Sequence, residues 1–210
     1  MAIEIKKIGV IGAGQMGAGI AQVSAAAGYS VTLTDISINN AENAISKIKA
    51  TAEKLVSREK MAAEVQTTIA ANLAPAGDMK ALGECDLVIE AASENEDVKN
   101  AIFADLCPVL NADAIIATNT SSLSITRLAQ KTDRPEKFMG IHFMNPVPVM
   151  KLVELVRGIA TEDDTYQIGK DYVATLGKTA TVSEDFPAFI VVDDKGNDFY
   201  AEVTTPVKLR

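Results

Sequence analysis

Apolar residues in this chain fall into two alternating rhythms. Short apolar-rich runs occur at Ile8–Ile11, Val31–Thr34, Asp86–Glu90, Ala114–Ala117, Phe138–Phe143, Lys151–Val156 and Thr179–Val182. Runs of that length, rich in β-branched residues, predict strands, with Asp86–Glu90 short and buried and Lys151–Val156 carrying Glu154. Between them lie longer segments whose apolar residues recur every third or fourth position. These are Gln15–Ala27, Asn40–Asn72, Glu96–Leu106, the stretch after Leu123, and Glu162–Leu176. In the longest, Ile45, Ile48, Ala52, Leu55 and Val56 form one face, and Ser57–Lys60 predicts a break that makes a helical hairpin projecting from the sheet. Gly28 and Gly177 follow the last periodic residues of two helices, where a helix stops; Asp163 and Asp164 sit in the first turn of the last one. Strand, helix, strand, helix in this order specify an α/β protein with a mostly parallel, doubly wound sheet.

The first strand–helix–strand unit carries chemistry. The run Ile8–Ile11 ends at Gly12-Ala13-Gly14, Gln15 and Met16 follow, and Gly17 completes a G-x-G-x-x-G before the helix. Gly12 allows the tight turn, Gly14 lets backbone approach a pyrophosphate, and Gly17 lets the helix pack against the sheet. The helix N-terminus offers unpaired N–H groups to phosphates. The second strand delivers Asp35, whose carboxylate is placed to accept from both adenosine ribose hydroxyls. A 2′-phosphate would be repelled there, and Ile36 and Ser37 supply no arginine to receive one, so NAD is expected over NADP. The fold class is thereby α/β, Rossmann-like, with Gly12, Ala13, Gly14, Gln15, Met16, Gly17 and Asp35 lining the cofactor. The bland alternative is a structural unit of the same shape with an empty crevice.

Composition narrows the partners. With 48% apolar residues in 210, the chain has ample material for a core. A net charge of −8 argues against a nucleic-acid or anionic-membrane surface. No apolar run has the length to span a bilayer, and MAIEIKK leaves no room for a signal peptide, so a cytoplasmic protein is expected. Cys85 and Cys107 lack metal-ligand spacing and read as reduced core thiols, and no metal site is expected. The hairpin cations Lys47, Lys49, Lys54, Arg58 and Lys60 read as a solvated face, with a phosphate-bearing substrate tail as the sharper alternative.

Further candidates lie at element ends. Thr118-Asn119-Thr120-Ser121-Ser122 follows a strand, where open α/β sheets bind ligands. A helix N-cap explains one of those serines but not the cluster. His142 closes the strand Phe138–Phe143, precedes Asn145-Pro146-Val147-Pro148, and has Glu154 on the returning segment. A carboxylate bonded to one ring nitrogen fixes the tautomer and frees the other nitrogen to exchange a proton with a substrate oxygen. Beside a nicotinamide this means taking the proton of a secondary alcohol as hydride leaves its carbon.

The stretches GAGQMG, VIEAASEN, TNTSSLSIT, GIHFMNPVPVMKLVELVRG and DFPAFIV closely resemble the 3-hydroxyacyl-CoA dehydrogenases, from Lys6 to Val191. The resemblance implies reversible oxidation of an (S)-3-hydroxyacyl-CoA to the 3-oxoacyl-CoA with NAD. It makes His142 the base and Glu154 its partner, and gives Ser121 and Asn145 to the substrate or the nicotinamide end. Asp35, Glu94 and Lys99 would contact NAD, the last two through EN-x-x-x-K, and Thr51 and Arg58 would hold part of CoA. After FIV the family continues with Asn-Arg and a helical domain, whereas this chain places Val192 at the asparagine and ends at Arg210. Residues 1–191 are thus expected to form the NAD-binding domain. Residues 192–210 do not resemble the family, and the β-prone runs around Asp194-Lys195-Gly196-Asn197 predict a hairpin. The alternative function is an NAD-binding module with little or no catalysis. Self-association, outside the family's usual dimer interface, is also expected.

Overall fold

The computed structural model describes residues 4–185 and two short strands, Val191–Val192 and Asp198–Phe199. Strands β1 (Lys7–Ile11), β2 (Ser30–Thr34), β3 (Leu73–Ala76), β4 (Leu87–Glu90), β5 (Ile115–Thr118), β6 (Phe138–Phe143), β7 (Leu152–Arg157), β8 (Thr179–Glu184), β9 (Val191–Val192) and β10 (Asp198–Phe199) share one sheet. Its order is β10-β9-β8-β7-β6-β5-β4-β1-β2-β3. From β3 across to β6 every pair is parallel, as is β7 with β8; β7 runs antiparallel to β6, and β9 to both its neighbours. β1 lies between β2 and β4, and the chain winds outward from it in both directions. The crevice between the ends of β1 and β4 is therefore the reversal point where such sheets take ligands.

The buried runs pack on both sides, which is why they carry no polar alternation. Leu87, Ile89, Ile115 and Ala117 face one side, joined there by residues of α1 (Gln15–Ala26), α2 (Ile38–Val56), α3 (Ala63–Asn72) and α6 (Asp163–Thr175). Val88 and Ile116 face the other, against Phe103 and Leu106 of α4 (Glu96–Leu106) and Leu128 of α5 (Ile125–Ala129). Burial pushes the Cys85 thiol up to about 11, with Asp86 adding to the shift, and both cysteines are free and buried.

The hairpin forms as α2 and α3, with Glu59 at φ 57° in the reversal. Ala41, Ala44, Ile45, Ile48 and Ala52 bury its root in the core, so the pair lies on the sheet there, and Arg58 and Lys60 are exposed at the tip. The apolar pattern does not predict the edge strand β3, Leu-Ala-Pro-Ala. Pro75 speaks against a strand in general but is tolerated at an edge, where one side of the ladder is unpaired. β9 and β10 pair antiparallel, Asp198 with Val192; the rest of the tail from residue 193, and residues 186–190, lie outside the described residues.

Candidate functional site

The glycine-rich turn has a shape only glycines permit. Gly12 takes φ +102°, and a Cβ there would lie 2.6 Å from the Ala91 carbonyl oxygen. A Cβ on Gly17 would lie 1.8 Å from the Gly12 carbonyl oxygen, so helix and turn touch backbone to backbone. Gly14, the N-cap of α1, has nothing within 4 Å of where a Cβ would stand and no side chain to cap the helix. The first-turn N–H groups are thus left for a ligand, in a form that suits a pyrophosphate. Ala13, Gly14 and Gln15 open into a cleft of roughly 590 Å³ that continues past Gln22, Asp35, Asn40, Asn43 and Lys47 to Thr51. Arg58 is not among its lining residues. A smaller cleft of about 240 Å³ lies on the far side of Asp35, walled by Ile36, Gly77, Met79 and Ile102. Asp35 also braces the turn, since its two oxygens accept from the Ala13 N–H and from Asn40 Nδ2, each at 2.7 Å.

At the end of β4, the side chain of Lys99, which the resemblance gives to the cofactor, is held inside the protein. That side chain is 1% exposed, and its Nζ donates to both oxygens of Glu90, at 2.8 and 2.7 Å. Glu90, itself 0% exposed, also accepts from the Ala92 N–H and from Thr118 Oγ1. Burying an ammonium requires such a partner, and burial of Glu90 next to it removes Lys99 from the surface. Lys99 Nζ lies 3.6 Å from Glu94 Oε2. The other oxygen of Glu94 gathers the turn after β5, accepting from Thr120 Oγ1, the Ser121 N–H and Ser122 Oγ at 2.5, 2.9 and 3.0 Å. Burial pushes the Glu94 carboxyl up, but these bonds and the Lys99 charge outweigh it and hold the group below its ordinary range.

His142 and Glu154 are register partners on antiparallel β6 and β7. His142 Nδ1 meets Glu154 Oε2 at 2.7 Å, with both side chains half-buried. Among the described residues Nε2 makes no hydrogen bond. Since Gly140 pairs with Thr118, His142 and Ser121 emerge at the same edge of the sheet. Just beyond, the Asn145–Pro146 peptide is cis, and Gln15 Nε2 donates to Asn145 Oδ1 at 3.0 Å. The loop that follows His142 and the start of α1 are therefore joined through one side-chain bond.

Residues 7–186 match the family described as 3-hydroxyacyl-CoA dehydrogenase, NAD binding domain. The chain belongs to that family. It is 54% identical over 191 residues to a 3-hydroxybutyryl-CoA dehydrogenase from Bradyrhizobium diazoefficiens, covering 91% of this chain and 65% of that one. Solved relatives include 3-hydroxybutyryl-CoA dehydrogenase from Escherichia coli K12, at TM-score 0.87 and 42% identity over 90% of this chain and 40% of that one. The (S)-3-hydroxybutyryl-CoA dehydrogenase from Ralstonia eutropha superposes at TM-score 0.86 with 38% identity, over 90% of this chain and 66% of its own. The chain thus spans about two thirds or less of these relatives.

Within the family frame, the structure adds residues that the sequence reading passed over. Glu90 looked like the last residue of a strand, although an acid ending an apolar run was a signal. Gln22 of α1 and Asn40 of α2 join the larger cleft, which Lys47, one of the hairpin cations named above, also lines. Among the described residues no cluster of His, Cys, Asp and Glu is placed to hold a metal ion, and no helix is long and apolar enough to cross a membrane.

Proposed function

We propose that this chain binds NAD and interconverts an (S)-3-hydroxyacyl-CoA, of the 3-hydroxybutyryl class, with its 3-oxoacyl-CoA. The observation that carries this reading is the His142–Glu154 pair, with the loop after it tied by the Asn145–Gln15 bond to the start of α1 beside an uncapped glycine turn. The cofactor residues would be Gly12, Ala13, Gly14, Gln15, Met16 and Gly17 at the pyrophosphate, and Asp35 at the ribose. Asp35 keeps further lone pairs after accepting from Ala13 and Asn40. Bound there, NAD supplies the hydride acceptor. Glu154 holds the imidazole with its proton on Nδ1, and Nε2 takes the proton of the 3-hydroxyl as its carbon loses hydride. In reduction Nε2 returns that proton to the carbonyl oxygen. Ser121 and Asn145 orient the reacting oxygen or the carboxamide, and Glu94 fixes the turn that presents Ser121. Thr51 lies in the long cleft with Lys47, where a coenzyme A tail fits; Arg58 contributes only from the hairpin tip. Residues 1–191 act as the cofactor domain in this reading, with 192–210 following it.

The test has two steps on the purified chain. NADH titrated calorimetrically is expected to bind with roughly micromolar affinity, about −8 kcal/mol, and acetoacetyl-CoA is expected to oxidise the bound NADH. Binding without any oxidation would favour a non-catalytic NAD-binding module; absence of binding would overturn the whole reading.

A further inference from the structure

Among the described residues, the pair Glu90–Lys99 is the most deeply buried charged group that the proposed chemistry does not touch, at 0% and 1% exposure. A buried ion pair is a poor stabiliser, since desolvation consumes most of its attraction and apolar residues of similar volume serve as well. Its location is more informative than its energy. Glu90 ends β4, flanked in register by Ile11 on β1 and Thr118 on β5, so it sits under both the glycine turn and the Ser121 turn. Both its oxygens are occupied, by Ala92 N–H, Thr118 Oγ1 and twice by Lys99 Nζ, which leaves the ammonium no freedom. That fixed ammonium stands 3.6 Å from one oxygen of Glu94, while the other oxygen gathers Thr120, Ser121 and Ser122. Glu94 is 39% exposed, so packing does not hold it; its bonds to the turn and its cation do.

We propose that Glu90 is a positioning residue for the nicotinamide end of the cofactor, setting the Ser121–Ser122 turn through Lys99 and Glu94. The inference rests on the NAD reading above. Without the Glu90 anion the buried ammonium has one remaining carboxylate to satisfy it, that of Glu94. It turns to that group and draws it away from the Ser121 and Ser122 amides. Without the ammonium, Glu94 has only the turn itself to hold it.

The test compares NADH with ADP-ribose, which shares the adenosine and pyrophosphate but lacks the nicotinamide. Wild type, Glu90→Gln and the double variant Glu90→Leu/Lys99→Met are titrated with each, and amide exchange at Ser121 and Ser122 is followed by NMR. In wild type NADH is expected to bind at least about fivefold tighter than ADP-ribose, an increment the size of one hydrogen bond. In both variants ADP-ribose affinity should stay within about twofold, the NADH advantage should vanish, and Ser121 and Ser122 should exchange at least about tenfold faster. The double variant is expected to fold and melt cooperatively, because its buried charges leave together, although the Ala92 N–H and Thr118 Oγ1 lose their acceptor. An NADH advantage and amide protection that survive in the double variant overturn the proposal, whatever its melting temperature; equal binding of both ligands by wild type also overturns it. Failure of wild type to bind either ligand would sink the NAD reading instead. If Glu90→Gln does not fold, the double variant carries the test alone.

Discussion

Two carboxylates near the same edge of one sheet each grip a basic side chain, and their surroundings assign them different work. Glu90 and Lys99 are sealed, with every oxygen of the acid engaged. Glu154 and His142 are equally close, yet retain 16% and 19% exposure and leave one ring nitrogen unbonded. A sealed pair cannot exchange protons with a substrate, because nothing reaches it; it can only hold geometry. A half-open pair can do both, since one nitrogen is fixed and the other is free. Strand pairing makes the second arrangement and a strand-to-helix contact makes the first.

The sharpest way to separate them is by turnover. His142→Ala should slow acetoacetyl-CoA reduction about a thousandfold while NADH affinity stays within about twofold. Glu154→Gln should be milder, about tenfold to a hundredfold, because the amide still accepts from Nδ1–H. Collapse of NADH binding in His142→Ala would mean the histidine is structural. Stability should rank the pairs the other way. Glu90→Ala strands a buried ammonium and should cost about 3 kcal/mol or more in urea unfolding, whereas Glu154→Ala, beside a partly solvated ring, should cost about 1 kcal/mol or less. Equal costs would erase the distinction between sealed and open pairs.

A third carboxylate, Asp35, stands between these extremes, braced by Ala13 and Asn40 but facing a cleft. NAD(H) should bind at least about tenfold tighter than NADP(H), roughly 1.4 kcal/mol; equal affinities by calorimetry would remove Asp35 from the ribose. The smallest effect concerns pH. The Glu94 carboxyl is held below its ordinary 4.5, so the stability it lends the Ser121 turn is present above that value and is lost as pH falls through the depressed one. Amide protection at Ser121 and Ser122 should therefore persist slightly below pH 4.5, and its loss well above that pH would contradict the depressed value.

Much of this was legible in the sequence because local pattern and tertiary context agree. Helix α4 and strand β6 have the bounds that periodicity predicts, Glu96–Leu106 and Phe138–Phe143. The glycine spacing marks the turn, since only backbone contact at Gly12 and Gly17 makes those residues necessary. β3 escaped because Pro75 opposes a strand everywhere except at an edge, and edges are defined by the whole sheet. Lys99 is only half legible for a related reason. Its spacing from Glu94 is visible in the chain, but its burial depends on Glu90, which looks like any strand end until the helix is docked beside it.

The His142–Glu154 assignment has a direct spectroscopic test, because His142 is the only histidine in the chain. Labelling histidine with ¹⁵N gives one imidazole, whose two nitrogens report where the proton sits in the neutral ring. With Glu154 on Nδ1 at 2.7 Å, the neutral ring should carry its proton on Nδ1 and leave Nε2 bare, and Glu154→Gln should weaken that preference. A neutral ring protonated on Nε2, or unchanged by Glu154→Gln, would contradict the assignment of Nε2 as the base.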